Sequence, residues 1–166
     1  MLTVGKPIYT SLDLGNPRSG GRAFVYHIRQ ASIQQHTAQG GSGRFMPGRV
    51  FGHISGYPEG ASFDSRAALS EAGVHRPTMA GISGSQGEGA DSIVLSGGYE
   101  DDEDLGDEVV YTGHGGRDAE RRRQVAHQRL TKGNLALAHS SIEGLPVRVV
   151  RGANLGSPYA PGSGYC

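Results

Sequence analysis

The stretch that decides the fold is Ser96–Asp118, SGGYEDDEDLGDEVVYTGHGGRD. Glycine pairs near both ends permit tight turns and close backbone approach. Between them, Glu108–Thr112 is rich in β-branched and aromatic residues, which favour a strand. The segment therefore predicts turns around one short strand, with Tyr99 and Tyr111 on either side of an acidic run.

Four further motifs lie outward from this segment in a fixed order. They are FGHISGYPEG at 51–60, GVHRP at 73–77 followed by AGI at 80–82, LTKGNLALA at 130–138, and PVRVVR at 146–151. With GGYEDD and YTGHGGRD, the set resembles the hallmark strings of the SRA (SET- and RING-associated) family over about residues 47–161. Five motifs in order make chance agreement implausible, and the GHGGRD string with its compact spacing looks more like the bacterial branch.

The residues alone predict a mixed α+β domain. Predicted strands are 49–54, 78–83, 92–96, 108–112 and 146–151, and a predicted helix covers about 120–139, broken or kinked at Gly133. The resemblance implies a PUA-like curved β-sheet or partial barrel with flanking helices. It also implies binding of methylated DNA, with the modified base flipped out of the duplex.

The resemblance assigns a base-binding pocket to the central segment. Tyr99 and Tyr111 match the two aromatics that stack on the base, and Asp102 matches the pocket carboxylate. A carboxylate accepts a hydrogen bond from the N4 amino group of cytosine, whereas thymine presents an acceptor oxygen. The remaining pocket residues implied are Ser96, Gly97, Gly98, Thr112 and His114.

His114 departs from the family pattern, because UHRF-type members have a small serine there, near the methyl group. The acceptance of 5-methylcytosine alone is therefore open, and 5-hydroxymethylcytosine or another modification is an alternative. The tyrosines and the acidic run also admit a plainer interpretation, as ordinary strand aromatics beside a solvated loop.

Two outer elements are expected to meet the DNA. Val74, with His75 and Arg76, matches a loop that enters the groove. Arg117 and the run Arg121, Arg122 and Arg123 are expected to bind phosphate or the orphan guanine, and the sequence favours neither.

The overall charge is zero, with 16 acidic and 16 basic residues, but seven of the acids lie within 100–108. The remainder is therefore basic, and 14 of the 16 basic residues are arginine, a side chain suited to phosphates and base edges. An arginine-rich composition inherited from a GC-rich genome explains the same count.

Several classes of function are disfavoured. The only cysteine is Cys166, so no cysteine zinc site or internal disulfide is expected. The acidic run fails the calcium-loop pattern, since Leu105 and Thr112 stand at ligand positions. No HExxH, GxSxG or nucleotide-binding glycine motif occurs, and His36, His53 and His75 are expected at the surface or in loops. We expect no metal, cofactor, membrane span or signal peptide, and a location on the nucleoid in the cytoplasm.

The domain is expected to cover residues 46–166. Residues 1–45 match nothing in the family and end in the linker-like GGSG at 40–43, so they are interpreted as an extension. The family continues beyond the position of Cys166 into further strands, so the domain is expected to lack its last strands.

The sequence thus predicts a reader of double-stranded DNA with modified cytosine, without enzymatic activity in this chain. Any nuclease is expected to be an HNH-type partner domain beyond Cys166. Three rivals remain open. They are a binder of another modified nucleic acid such as RNA, a nuclease active in this chain, and a protein-contact module without DNA binding.

Overall fold

The structure is a computed structural model that describes residues 3–7, 14–15, 23–30, 48–99, 101–118 and 125–166. Its strands are β1 (Thr3–Pro7), β2 (Leu14–Gly15), β3 (Ala23–Gln30), β4 (Ile82–Ser85), β5 (Gly89–Leu95), β6 (Glu103–Asp104), β7 (Glu108–Thr112) and β8 (Val147–Arg151). The helices are α1 (Arg66–Glu71), α2 (Lys132–Glu143) and a short 3-10 helix, Ala153–Leu155. The predicted α+β class is confirmed.

The strands form one sheet in the order β4-β5-β8-β1-β3-β7-β6, with β2 paired to β3. The pair β5–β8 is parallel, and the other pairs are antiparallel. Side chains alternate between sheet faces, so Ile93 and Leu95 join the larger core cluster while Val94 joins a second one. Both faces of β5 are therefore buried, one beneath α2 and the other beneath α1.

The N-terminal strands lie in the middle of this sheet. Strand β1 pairs with β8 on one side and β3 on the other, and β3 pairs with β7 over residues 25–29. Without them β8 and β7 would have no common neighbour, and the sheet would divide into two parts. The structure thus differs from the expectation that 1–45 is an extension. The predicted linker at 40–43 lies outside the described residues.

Local predictions succeed where the chain is apolar and regular. The predicted strand 108–112 coincides with β7, 146–151 matches β8 within one residue, and 92–96 falls mostly within β5. The predicted strand 78–83 is wrong for its first four residues, because β4 begins at Ile82.

The predicted strand 49–54 is also wrong, since only Ile54 forms an isolated bridge, with Tyr57. The reason is tertiary. The guanidinium of Arg148 donates hydrogen bonds to the carbonyls of Val50 (2.6 Å) and Gly52 (2.8 Å), which a neighbouring strand would otherwise bind.

The predicted helix over 120–139 begins later than expected, at Lys132. Gly133 therefore lies in the first turn and does not break the helix. Helix α1 was not predicted; Ser65 caps it by accepting a hydrogen bond from the Ala68 amide, a signal that a six-residue helix leaves weak in the sequence.

Candidate functional site

Asp102 lies just before β6, which folds back on β7 and brings the acidic run against the strand of Tyr111. Its Oδ1 accepts a hydrogen bond of 2.7 Å from the backbone amide of Thr112. Burial raises the pKa of Asp102 to about 6, and the Thr112 amide and nearby Arg117 oppose this rise only in part. The carboxyl group is thus half-buried and costly to ionise, a combination common at functional sites.

Tyr99 lies beside this carboxyl group at the start of the acidic run. Its hydroxyl accepts a hydrogen bond from the Gly115 amide at 3.3 Å, and the guanidinium of Arg117 lies over its ring, 5.3 Å from the centroid. The cation and the amide together fix the ring between the two glycine-rich turns.

Tyr111 is the deeper aromatic, with 4% of its surface exposed. It pairs with Tyr26 across β7 and β3. Burial raises the pKa of its hydroxyl, and the charges of Asp102 and Tyr99 raise it further. The structure thus brings Tyr99, Asp102 and Tyr111 into one neighbourhood, which we call the aromatic–acidic recess.

The glycine turn before Tyr99 packs against the 3-10 helix. Gly97 has φ of +68°, and a Cβ atom there would lie 2.7 Å from the Asn154 carbonyl oxygen, so this turn requires glycine. Ser96 is exposed and Gly98 half-buried, next to Arg117.

A cleft of about 460 Å³ adjoins the recess, lined by residues 114–116, 126–129 and 131–132. Gly115, which binds the Tyr99 hydroxyl, forms part of its wall. His114 is half-buried here, and Arg129 and Lys132 expose their side chains at it. Among the described residues, the lining has two permanent cations and no carboxylate, a combination that favours an anion.

The predicted groove-entering loop is built differently from the expectation. Val74 and His75 are both fully buried, Val74 within the second core cluster. The His75 ring donates from Nε2 to the Ala80 carbonyl (3.0 Å), and its Nδ1 lies 2.9 Å from the Ser92 hydroxyl. Burial lowers the pKa of His75 to about 4. His75 was expected at the surface or in a loop, and it lies in a buried loop.

The exposed apolar side chain of this region is Met79, at 92%. Its loop is anchored at Ala80, whose carbonyl accepts hydrogen bonds from both His75 and Arg66. The loop also abuts the recess, because a Cβ atom on Gly81 would approach the Tyr111 hydroxyl to 2.9 Å. Arg76 is exposed and donates to the carbonyl of Gly48.

Of the predicted DNA-contacting arginines, Arg117 belongs to the recess, where its Nε is buried without a hydrogen-bond partner in the described part of the chain. Arg121, Arg122 and Arg123 lie outside the described residues.

Sequence reasoning missed two buried arginines. Arg151 pairs with Asp104 through two hydrogen bonds of 2.8 Å, and Arg148 holds the carbonyl of Val74. Both are 1% exposed. Their signal was the motif PVRVVR, since arginines inside an apolar strand require buried partners.

Within the described ranges, no three His, Cys, Asp or Glu residues are grouped as metal ligands. In the same ranges, no helix has the length and apolar character needed to cross a membrane.

Fold and site define a class: an α+β domain whose β6–β7 hairpin carries an aromatic–acidic recess beside a cationic cleft. The sequence model of the SAD/SRA domain matches residues 50–161. The chain therefore belongs to the SAD/SRA domain family, as the motifs predicted.

Known proteins are similar over the same region. The E3 ubiquitin-protein ligase UHRF1 of Rattus norvegicus is 45% identical over 139 residues, covering 72% of this chain and 18% of that protein. The structure titled modification-dependent TagI restriction endonuclease is 53% identical with a TM-score of 0.67, covering 71% of this chain and 42% of that one.

The complex of the SUVH5 SRA with hemi-methylated CG DNA is 42% identical with a TM-score of 0.55, covering 62% of this chain and 70% of that one. The chain spans about a fifth of the length of the rat relative.

Proposed function

We propose that this chain binds double-stranded DNA containing a modified cytosine and holds the flipped base in the aromatic–acidic recess. The observation that carries the proposal is the convergence of Tyr99, Asp102 and Tyr111 on one hairpin. The SUVH5 SRA complexes with hemi-methylated and with hydroxymethylated CG DNA support it, as does the name of the TagI enzyme.

In this proposal the two tyrosines stack on the base and Asp102 accepts a hydrogen bond from its N4 amino group. Base–aromatic stacking contributes about 1–3 kcal/mol per base, comparable to the cost of unstacking the base from the duplex. Because Tyr111 is 4% exposed, insertion of the base requires the loop carrying Tyr99 and Asp102 to open.

Met79 takes the place first assigned to Val74, as the apolar side chain that fills the gap left by the base. Its 92% exposure on a loop anchored beside the recess supports this role, since apolar wedges commonly support an opened base step. A buried Val74 would have to leave the core to do the same.

Arg129 and Lys132 bind the DNA backbone at the cationic cleft. The flipped nucleotide remains attached to its phosphates, so cations are needed near the mouth of the recess. Arg121, Arg122 and Arg123 stay candidates for the same task or for the orphan guanine.

The chain serves as the recognition module of a modification-dependent restriction protein, and any cleavage belongs to a separate nuclease domain. His114 stands where UHRF-type members have a small serine, so the identity of the modified base is open. The specific alternative to 5-methylcytosine is 5-hydroxymethylcytosine.

The test is a titration of matched duplexes carrying cytosine, 5-methylcytosine or 5-hydroxymethylcytosine, with 2-aminopurine beside the target base. The chain has no tryptophan, so the probe is read with little background. We expect tighter binding of a modified duplex together with brightening of the probe. Tyr99→Ala should reduce this preference about tenfold or more, since one stacking face is lost, while Tyr99→Phe should keep most of it.

The control is Tyr159→Ala, because Tyr159 is 46% exposed and its ring contacts the guanidinium of Arg151, 5.9 Å from the ring centroid. Equal affinity of the wild type for all three duplexes would refute the proposal. Preference without brightening would refute base flipping alone.

A further inference from the structure

Two buried amide side chains hold the turn that follows Tyr111 and Thr112. They belong to Gln128 and Asn134, which are 7% and 0% exposed. Their targets are Gly113 and His114, the two residues between β7 and the Gly115 amide that binds the Tyr99 hydroxyl. The proposed function did not use either amide.

Asn134 binds both backbone groups of one residue, His114. Its Oδ1 accepts from the His114 amide at 2.9 Å, and its Nδ2 donates to the His114 carbonyl at 3.0 Å and to the Arg129 carbonyl at 2.9 Å. A carboxylate of the same shape would lack the donors, and an aliphatic side chain would leave buried peptide groups unpaired.

Gln128 joins the same turn to the N-terminal strand. Its Nε2 donates to the Gly113 carbonyl, and its Oε1 accepts from the Phe24 amide at 2.7 Å. The Gly113 amide in turn donates to the Phe24 carbonyl at 2.8 Å. Gly113 and Phe24 are thus linked directly and through one side chain.

Gly113 itself makes room for this arrangement. A Cβ atom there would lie 2.6 Å from Oδ1 of Asn134 and 2.9 Å from Oε1 of Gln128. Any other residue would push the amides out of hydrogen-bonding distance. The Tyr26 hydroxyl also donates a hydrogen bond of 2.8 Å to the Asn134 carbonyl.

We infer that Asn134 and Gln128 are positioning residues for base selectivity: they fix Gly113 and His114, and through Gly115 the ring of Tyr99, in the arrangement that accepts the modified base. This inference rests on the proposed function. Neither side chain needs to touch the base. Both act by preventing the turn from relaxing, because a pocket that relaxes loses discrimination before it loses all binding.

Helix α2 supplies a matched control. Ser140 is also 0% exposed, and its hydroxyl also serves both groups of one residue, accepting from the Ala90 amide (2.7 Å) and donating to the Ala90 carbonyl (2.9 Å). It binds β5, far along the helix from the recess. Asn134→Ala and Ser140→Ala therefore remove comparable buried bonds, and only the first touches the turn.

Two measurements separate positioning from stability. The first is the ratio of dissociation constants for unmodified and modified duplexes, taken well below each variant's melting temperature. The second is amide hydrogen exchange. We expect both variants to melt earlier, but Asn134→Ala to lower the ratio about tenfold and Ser140→Ala to leave it within about twofold. Exchange should accelerate at His114 and Gly115 in the first variant and at Ala90 in the second.

If Asn134→Ala does not fold, the same two measurements are made on Gln128→Ala. The ratio of dissociation constants is then expected to fall by a smaller factor. A folded variant at either position with the wild-type ratio overturns the inference while the proposed function stands. A wild type without any preference for modified DNA overturns both.

Discussion

Asp102 and Asp104 stand two residues apart in one acidic run, and the fold treats them in opposite ways. Asp104 accepts two hydrogen bonds of 2.8 Å from Arg151, one of 2.7 Å from Ser157 and one of 3.1 Å from the Gly106 amide. Burial raises the pKa of Asp104, but these donors outweigh it and the pKa lies below its ordinary value.

Asp102 instead accepts a hydrogen bond from the backbone amide of Thr112. The effect of burial on its pKa is larger than the effect of this donor, so the pKa of Asp102 rises to about 6. The comparison teaches how to distinguish the two roles. A carboxylate with a full set of donors and a buried cation holds the structure together, whereas one that burial leaves short of donors is available to a ligand.

The largest effect is expected at Asp104. Asp104→Ala removes the carboxylate that binds Arg151 through two hydrogen bonds, and the Arg151 side chain is 1% exposed. The loss of this buried ion pair should lower the free energy of unfolding by about 3–5 kcal/mol. Urea denaturation measures it, with Glu103→Ala as the exposed neighbouring control, expected within about 0.5 kcal/mol of wild type. A loss below about 1 kcal/mol would show that the ion pair is not structural.

A smaller effect of opposite sign is expected at Asp102. Its folded pKa is raised, so ionisation disfavours folding: this penalty is absent below about pH 4 and fully present above about pH 6. Asp102→Asn removes the charge and retains an acceptor for the Thr112 amide. It should raise the free energy of unfolding by about 1–2 kcal/mol at pH 7.5, discounted for partial exposure.

The same substitution should reduce the preference for cytosine over thymine at the target position, because an amide donates as well as accepts and no longer repels thymine. Denaturation at pH 7.5, 5 and 3.5 follows the predicted convergence of the variant and the wild type. If the two differ equally at all three pH values, the raised pKa of Asp102 is not the source of the penalty.

The smallest effect is expected for the salt dependence of DNA binding. Here the comparison is between cations: Arg151 is buried and paired, whereas Arg129 and Lys132 are exposed at the cleft. Replacing both with alanine should flatten the salt dependence of DNA binding by about one to two units of slope. Modified and unmodified duplexes should weaken equally. Arg29→Ala is the control, an exposed arginine paired with Glu108; an equal change there would remove the cleft from the interface.

Sequence alone determined what depends on local pattern and on segments close along the chain. Strand β7, the α+β class and the family were predicted correctly. The motif also assigned Tyr99, Asp102 and Tyr111 to one predicted pocket. They are neighbours because only eleven residues lie between the outermost two and the β6–β7 hairpin folds this segment back on itself, so a short-range motif was sufficient to bring them together.

Tertiary structure decided every feature that rests on distant partners. Val74 was expected in a loop that enters the DNA groove, but Arg148, 74 residues away, binds its carbonyl, and the core buries its side chain while Met79 is exposed. Strands β1 and β3 were expected outside the domain, because a strand in the middle of a sheet is identified only by its neighbours. Asn134 and Gln128 are polar residues whose buried partners no local pattern reveals. Pairings across the sheet, and the burial they impose, are set by the whole chain at once and not by any segment of it.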